Sequence, residues 1–122
     1  MADVSGAWLG TYWQQDEAVR FEMTLVQSGN TISGRVLDDN YLGEASLAGT
    51  ASGRAINFTK TYTSSARHSI SYTGTVSEEG DRMVGHWQIS YLSGTWSARK
   101  SDDNLSVQDI IKQASKVPMS VQ

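Results

Sequence analysis

Strict alternation in the run Ile56-Asn57-Phe58-Thr59-Lys60-Thr61-Tyr62 places a lysine amine and a phenol on the same strand face as Ile56 and Phe58. After a short turn rich in Thr and Ser, His68, Ile70 and Tyr72 share one face of the next run. Both faces carry the apolar residues, so both point inward. An inward amine without a partner is costly, and Lys60 therefore calls for an inward acid, a wet cavity or a ligand. Asp38 is the acid on offer. The two read either as structure, an ion pair or two groups whose heads stay wet at a rim, or as a binding device. In the second reading Lys60 holds an anionic or carbonyl oxygen while Tyr62 or Tyr72 donates a hydrogen bond. His68 adds a group that titrates near neutral pH. For an activated carbonyl or polyene substrate, Lys60, Tyr62 and His68 would be the catalytic residues, supplying acid and base.

Other chemistries have no residues to carry them. The chain has no cysteine, which excludes disulfides, thiol nucleophiles and thiolate metal sites. His86 faces outward by parity and stands apart from His68, and no carboxylates have ligand spacing, so no metal site is expected. Ser64, Ser65, Ser69 and Ser71 read as strand and turn residues rather than nucleophiles. No Gly-rich phosphate loop is present, and no cofactor is expected.

The elements that must position these groups are short strands with a turn every eight to twelve residues. Strands are predicted over residues 6–15, 19–27 and 31–38, then around Ala45, Leu47 and Gly49, then over 56–62, 68–76, 82–91 and 94–99. In the first strand both faces are plausible, Trp8, Gly10, Tyr12 and Gln14 against Leu9, Thr11 and Trp13, and the Trp8 face is taken as inward because the opposite choice leaves the Gly-Ala-Trp start without a core to anchor; Phe21, Met23 and Leu25 follow from the second. The third strand turns Ile32, Gly34, Val36 and Asp38 inward, and the seventh Met83, Gly85, Trp87 and Ile89. Ser28-Gly29-Asn30, Ser52-Gly53 and Glu78-Glu79-Gly80-Asp81 mark hairpins. Connections this short make every neighbour antiparallel. The fold class is all-β, an eight-stranded antiparallel up-and-down barrel, the strand number at which the interior is either filled by side chains or holds one small ligand. Gly34, Gly49, Gly74 and Gly85 fall on inward positions, where they bend a closing sheet or make bulges in a two-sheet sandwich. The barrel domain spans residues 1–100. Residues 101–122 form a short C-terminal helix or tail, with Ser101-Asp102-Asp103-Asn104 as its start, Leu105, Ile110, Ile111, Ala114 and Val117 as its stripe, and Pro118 as its stop.

With 122 residues the chain makes one domain with one core, and its formal net charge of -3 with no basic run excludes a nucleic-acid partner. No stretch approaches the roughly 20 apolar residues of a membrane helix, and the N-terminus lacks the pattern of a secretory signal. A soluble protein is expected, cytoplasmic or secreted with its signal removed, the absence of cysteine fitting the cytoplasm. Outward Trp13, Val84 and His86 leave a homo-oligomer open.

The strand order and the motifs Gly6-Ala7-Trp8, Ile32-Ser33-Gly34-Arg35, Leu47-Ala48-Gly49-Thr50, Phe58-Thr59-Lys60-Thr61-Tyr62, Tyr72-Thr73-Gly74-Thr75 and His86-Trp87-Gln88-Ile89 resemble the calycin barrels, and among them look most like the avidin family, over about residues 5 to 99. The Gly-x-Trp start also occurs in lipocalins and fatty-acid-binding proteins. The resemblance implies a ligand-holding barrel in which Phe58, Tyr72 and Trp87 stand where the family places tryptophans. The family's Asn and Tyr at the biotin ureido group are Gly10 and Val36 here, and the last strand, Trp96-Ser97-Ala98-Arg99, lacks the family's buried acid. The implied ligand is therefore not biotin.

In an up-and-down barrel the ends of odd strands and the starts of even strands gather at one rim. That places Gln14, Asp38, Lys60, Tyr62, His68 and Trp96 at one mouth, with Tyr12, Phe21, Ala45, Ile70 and Ile89 beneath and Trp8, Leu25, Ile32, Val76 and Met83 at the far end. The expected binding residues are Tyr12, Gln14, Phe21, Asp38, Phe58, Lys60, Tyr62, His68, Ile70, Tyr72, Trp87, Ile89 and Trp96. An apolar cavity with a few convergent polar groups suits a small, largely apolar molecule bearing a polar or anionic group. Two alternatives stand beside it. One is a cofactor-independent isomerase or cyclase that folds a flexible substrate. The other is a protein-interaction or inhibitor module with a filled barrel, using Trp13, the loop 39–43 or the C-terminal helix.

Overall fold

The computed structural model of the chain describes residues 3–40, 42–63 and 68–101. Eight strands follow one another: β1 (Gly6–Gln14), β2 (Glu17–Ser28), β3 (Thr31–Asp38), β4 (Glu44–Ser52), β5 (Ala55–Tyr62), β6 (Ser69–Val76), β7 (Arg82–Ile89) and β8 (Leu92–Lys100). Each pairs antiparallel with the next, and β8 returns to β1 with Leu9 opposite Arg99 and Tyr12 opposite Trp96, so the sheet is a closed barrel. Closure satisfies both sheet edges and decides between the two uses of the inward glycines. A Cβ on Gly74 would stand 2.6 Å from the Val84 carbonyl oxygen and 2.8 Å from Cζ2 of Trp96, so the missing side chain is what lets a strongly coiled strand cross a tryptophan ring. Among the described residues no helix is long and apolar enough to cross a membrane. The proposed C-terminal helix lies outside the described residues.

The alternation expected from the sequence is the alternation observed, except at Gln14, which was expected inward and is exposed at the end of β1. Trp8, Tyr12, Phe21, Met23, Leu25, Ile32 and Val36 are buried from the first three strands, and Ile56, Phe58, Tyr62, Ile70, Tyr72, Met83, Trp87 and Trp96 from the later ones. The base of the barrel, where even strands end, is packed with apolar side chains. Val4 lies in the core there, the Trp8 indole Nε1 donates to the Val4 carbonyl at 2.9 Å, and the Val4 amide donates to Gln27 Oε1 at 2.9 Å. The Gln27 amide in turn donates to Ser5 Oγ. The segment before β1 is thus stitched across the base, with its buried polar groups paired.

Two hairpins differ from expectation. The strands expected over 6–15 and 19–27 meet more closely, because β2 begins at Glu17 and only Gln15 and Asp16 turn the chain. The strands expected over 82–91 and 94–99 are likewise joined by Ser90 and Tyr91 alone, with Ile89 opposite Leu92. Gln15 (φ 56°) and Ser90 (φ 52°) take the positive φ at the first central position that glycine usually occupies in a two-residue hairpin. With no glycine to mark them, these turns carry no sequence signal. At the base the same position holds Gly29 (φ 61°) and Gly53 (φ 60°).

Candidate functional site

Parity brings the polar side chains to one end of the barrel, and the closed sheet brings them into contact. Asp38, the last residue of β3, and Lys60, two residues from the end of β5, are each 1 % exposed. The Lys60 ammonium donates to both carboxylate oxygens of Asp38, at 3.0 Å to Oδ1 and 2.8 Å to Oδ2. On the strand between them Ala45 stands opposite Tyr62, and its single methyl leaves the space through which the β5 side chains reach β3. The sequence left open whether this pair reaches solvent, and the burial decides it: the ion pair is internal.

Three tyrosines complete the cluster. Tyr62 and Tyr12 donate their hydroxyls to Asp38 Oδ2, the latter at 3.2 Å. Lys60 gives its third proton to the Tyr72 hydroxyl oxygen at 3.4 Å. The rings of Tyr12, Tyr62 and Tyr72 also surround the ammonium, with Nζ 4.6, 4.8 and 5.5 Å from their centroids, a favourable placement for a desolvated cation. Burial, with the Asp38 charge adding to it, pushes Tyr12 up to about 12 and raises Tyr62 and Tyr72 as well. All three hydroxyls therefore act as donors at neutral pH. Burial lowers the Lys60 pKa, against the opposing pull of Asp38.

Beneath the cluster the walls are aromatic. Phe58 and Tyr72 stack with ring centroids 4.9 Å apart, and Trp96 meets both edge-on at 5.8 and 5.7 Å. Tyr12 lies 6.3 Å from Phe21 and 6.4 Å from Trp87. Both tryptophans are anchored through the indole nitrogen: Trp87 donates to the Trp13 carbonyl and Trp96 to the Thr73 carbonyl, each at 3.0 Å. Trp96 lies halfway along β8 rather than at the rim, because that strand starts at Leu92. Ile70 is buried beside this layer and Ile89 is half-buried at the top of β7.

Two of the expected residues stand apart from the cluster. Gln14 is exposed, one position from the turn. His68 is half-buried with its ring 4.8 Å from that of Tyr62, and none of the hydrogen bonds of the Asp38–Lys60 cluster involves its imidazole. Asn40 is a member that the sequence reading assigned only to a loop. Its Nδ2 donates to the Tyr12 hydroxyl at 3.2 Å, and its Oδ1 accepts from the Leu42 amide, which folds half-buried Leu42 against the core. The available signal was that Asn40 continues the inward parity of Val36 and Asp38 one step past the strand.

A separate groove of about 240 Å³ lies at the junction of β1, β7 and β8, lined by Leu9, Thr11, Val84 and Ser97 and flanked by Arg82 and Arg99. The two arginines are direct cross-strand partners.

No family model matches the sequence, and no curated protein matches it. Solved structures do match. A redesigned β-barrel superposes with a TM-score of 0.67 at 16% identity, over 81% of this chain and 92% of that one. Two further redesigned β-barrels, mFAP1 and mFAP0, both bound to DFHBI, superpose with TM-scores of 0.63 and 0.59 at 12% and 15% identity. They cover 80% of this chain and 94% and 98% of theirs. At such identities the likeness is one of fold, and the chain is an eight-stranded antiparallel β-barrel of the kind these structures share.

Proposed function

We propose that the polar end of the barrel binds a small, largely apolar molecule through a single polar group, with the Asp38–Lys60 pair and its tyrosines as the anchor. The observation that carries this reading is the buried ion pair itself. Two charges taken out of water stabilise a fold no better than apolar side chains of similar volume, and often less well. The base of the same barrel, closed by Val4 and Trp8, is filled without any charge. Polar groups converging among aromatic walls are the usual composition of a small-molecule site. Half-buried Leu42 and Ile89, on opposite sides of the barrel, and His68 beside Tyr62 give the rim apolar and aromatic surfaces between which a ligand would enter. Barrels of this fold accommodate a small molecule, as the DFHBI-bound neighbours do. Within the avidin-like resemblance, Gly10 and Val36 at the two clasp positions argue for a ligand other than biotin.

Native mass spectrometry of the protein isolated from its own source tests the reading. A bound species of small-molecule mass, released on denaturation, is the expected result. Titration with 6-propionyl-2-(dimethylamino)naphthalene, a neutral and largely apolar dye with one carbonyl group, should raise the melting temperature of the recombinant protein and be weakened by Lys60→Met. A bare chain mass together with an unchanged melting temperature would overturn it.

A further inference from the structure

We infer that the polar group recognised by this barrel is a neutral hydrogen-bond acceptor, a ketone, ester or amide carbonyl, held by the Tyr72 hydroxyl. The inference rests on the proposed site and narrows its ligand class. It follows from counting protons in the cluster. Lys60 has three, and they are directed at Asp38 Oδ1, Asp38 Oδ2 and the Tyr72 oxygen. The Tyr12 and Tyr62 hydrogens both go to Asp38 Oδ2. The Tyr72 oxygen accepts from Lys60, so its own hydrogen needs another acceptor, and none exists among the described residues. Tyr72 is 4 % exposed. A hydroxyl hydrogen buried without an acceptor is costly, and an incoming carbonyl oxygen removes that cost.

The same count argues against an anion. Asp38 and Lys60 sum to zero charge, and the ammonium has no proton left to offer. A carboxylate placed here would have to displace Asp38 or sit beside it, two like charges in a desolvated place. Donation from Lys60 to the Tyr72 oxygen withdraws electron density from the phenol and strengthens its remaining hydrogen as a donor. The stacked Phe58 ring and the edge of Trp96 fix the ring that carries it, so the donor is pre-aimed.

Three probes with one apolar body separate the possibilities: 2-acetylnaphthalene, 2-ethylnaphthalene and 2-naphthoate, titrated by quenching of tryptophan fluorescence. The ketone is expected to bind about tenfold more tightly than the hydrocarbon, the net value of one hydrogen bond, and the carboxylate more weakly than either. Tyr72→Phe, which keeps the stacked ring, should bring the ketone down to the hydrocarbon and leave the hydrocarbon unchanged. The infrared carbonyl stretch of the bound ketone should move to lower frequency in the parent protein and not in Tyr72→Phe, a signature that a purely structural tyrosine would not produce. Binding of ketone and hydrocarbon with equal affinity, or tightest binding of the carboxylate, overturns the inference while leaving the ligand site standing. If none of the three binds, the inference and the proposed site fall together.

Discussion

At the base of the barrel Val4, Trp8, Leu25, Ile32, Ile56, Val76 and Met83 pack without a charge among them, whereas the other end buries Asp38, Lys60 and three tyrosine hydroxyls in the same closed sheet. The turns differ in the same sense. At the base, the positive-φ positions of the two-residue hairpins are Gly29 and Gly53, which adopt that conformation freely. At the mouth they are Gln15 and Ser90, which do not. One end follows the rules for stability and the other departs from them twice, in its core and in its turns. Departures of this kind concentrate where a protein does something besides fold.

The largest test of this contrast is the ion pair. Lys60→Met leaves the Asp38 carboxylate buried without its cation and should cost about 3–5 kcal/mol in urea denaturation. Adding Asp38→Leu together with Tyr12→Phe and Tyr62→Phe should recover most of that loss, because the pair and the two hydroxyls that donate to Asp38 are then replaced by apolar groups. A combined variant as unstable as the single one would mean that the polar end is needed for the fold, and the contrast with the base would collapse.

Alkaline pH probes the same cluster from the side of the tyrosines. With Tyr12 raised from 10.0 to about 12, the folded state retains a proton that the unfolded chain releases between those values. Stability is therefore full below about pH 10 and falls as pH rises toward 12. Tyr62 and Tyr72, also raised, act in the same direction. Lys60, lowered on folding, acts in the opposite sense as pH approaches its unfolded value of 10.5, one group against three. The phenolate absorbance of the three buried tyrosines, read against the background of exposed Tyr91, should then rise together with unfolding rather than before it, and Tyr12→Phe should flatten the decline.

At the base, Trp8→Phe removes the indole donor and leaves the Val4 carbonyl buried without its partner. The expected loss is about 1–2 kcal/mol, accompanied by faster hydrogen exchange at the Val4 amide. The smallest effects belong to the turns and have opposite signs at the two ends. Ser90→Gly should stabilise by about 1 kcal/mol and Gly53→Ala should destabilise by about as much, both read from thermal melts. Equal signs would show that the mouth turns are not strained relative to those of the base.

Much of this architecture was legible in residue order. Period-two alternation identifies the inward set residue by residue, because successive side chains on a strand point to opposite faces whatever the rest of the chain does. The same locality placed Asp38, Lys60 and Tyr62 at one end before any contact was known. The hairpins at Gln15 and Ser90 were not legible, since a turn is read from its glycine and these have none. Asn40 was hidden by the end of its strand, where parity stops being a secure guide.

The sequence by itself determined an all-β chain of eight strands, the inward face of all but the first, where either face was plausible, and the gathering of Asp38, Lys60 and Tyr62 at one mouth, because alternation and short connections are local properties. Only the tertiary structure decided that β8 closes on β1, that Lys60 turns to Asp38 rather than to water, and that Asn40 and Tyr12 join them. Those contacts cross the barrel, and their distances depend on strand tilt and stagger, which no single strand encodes.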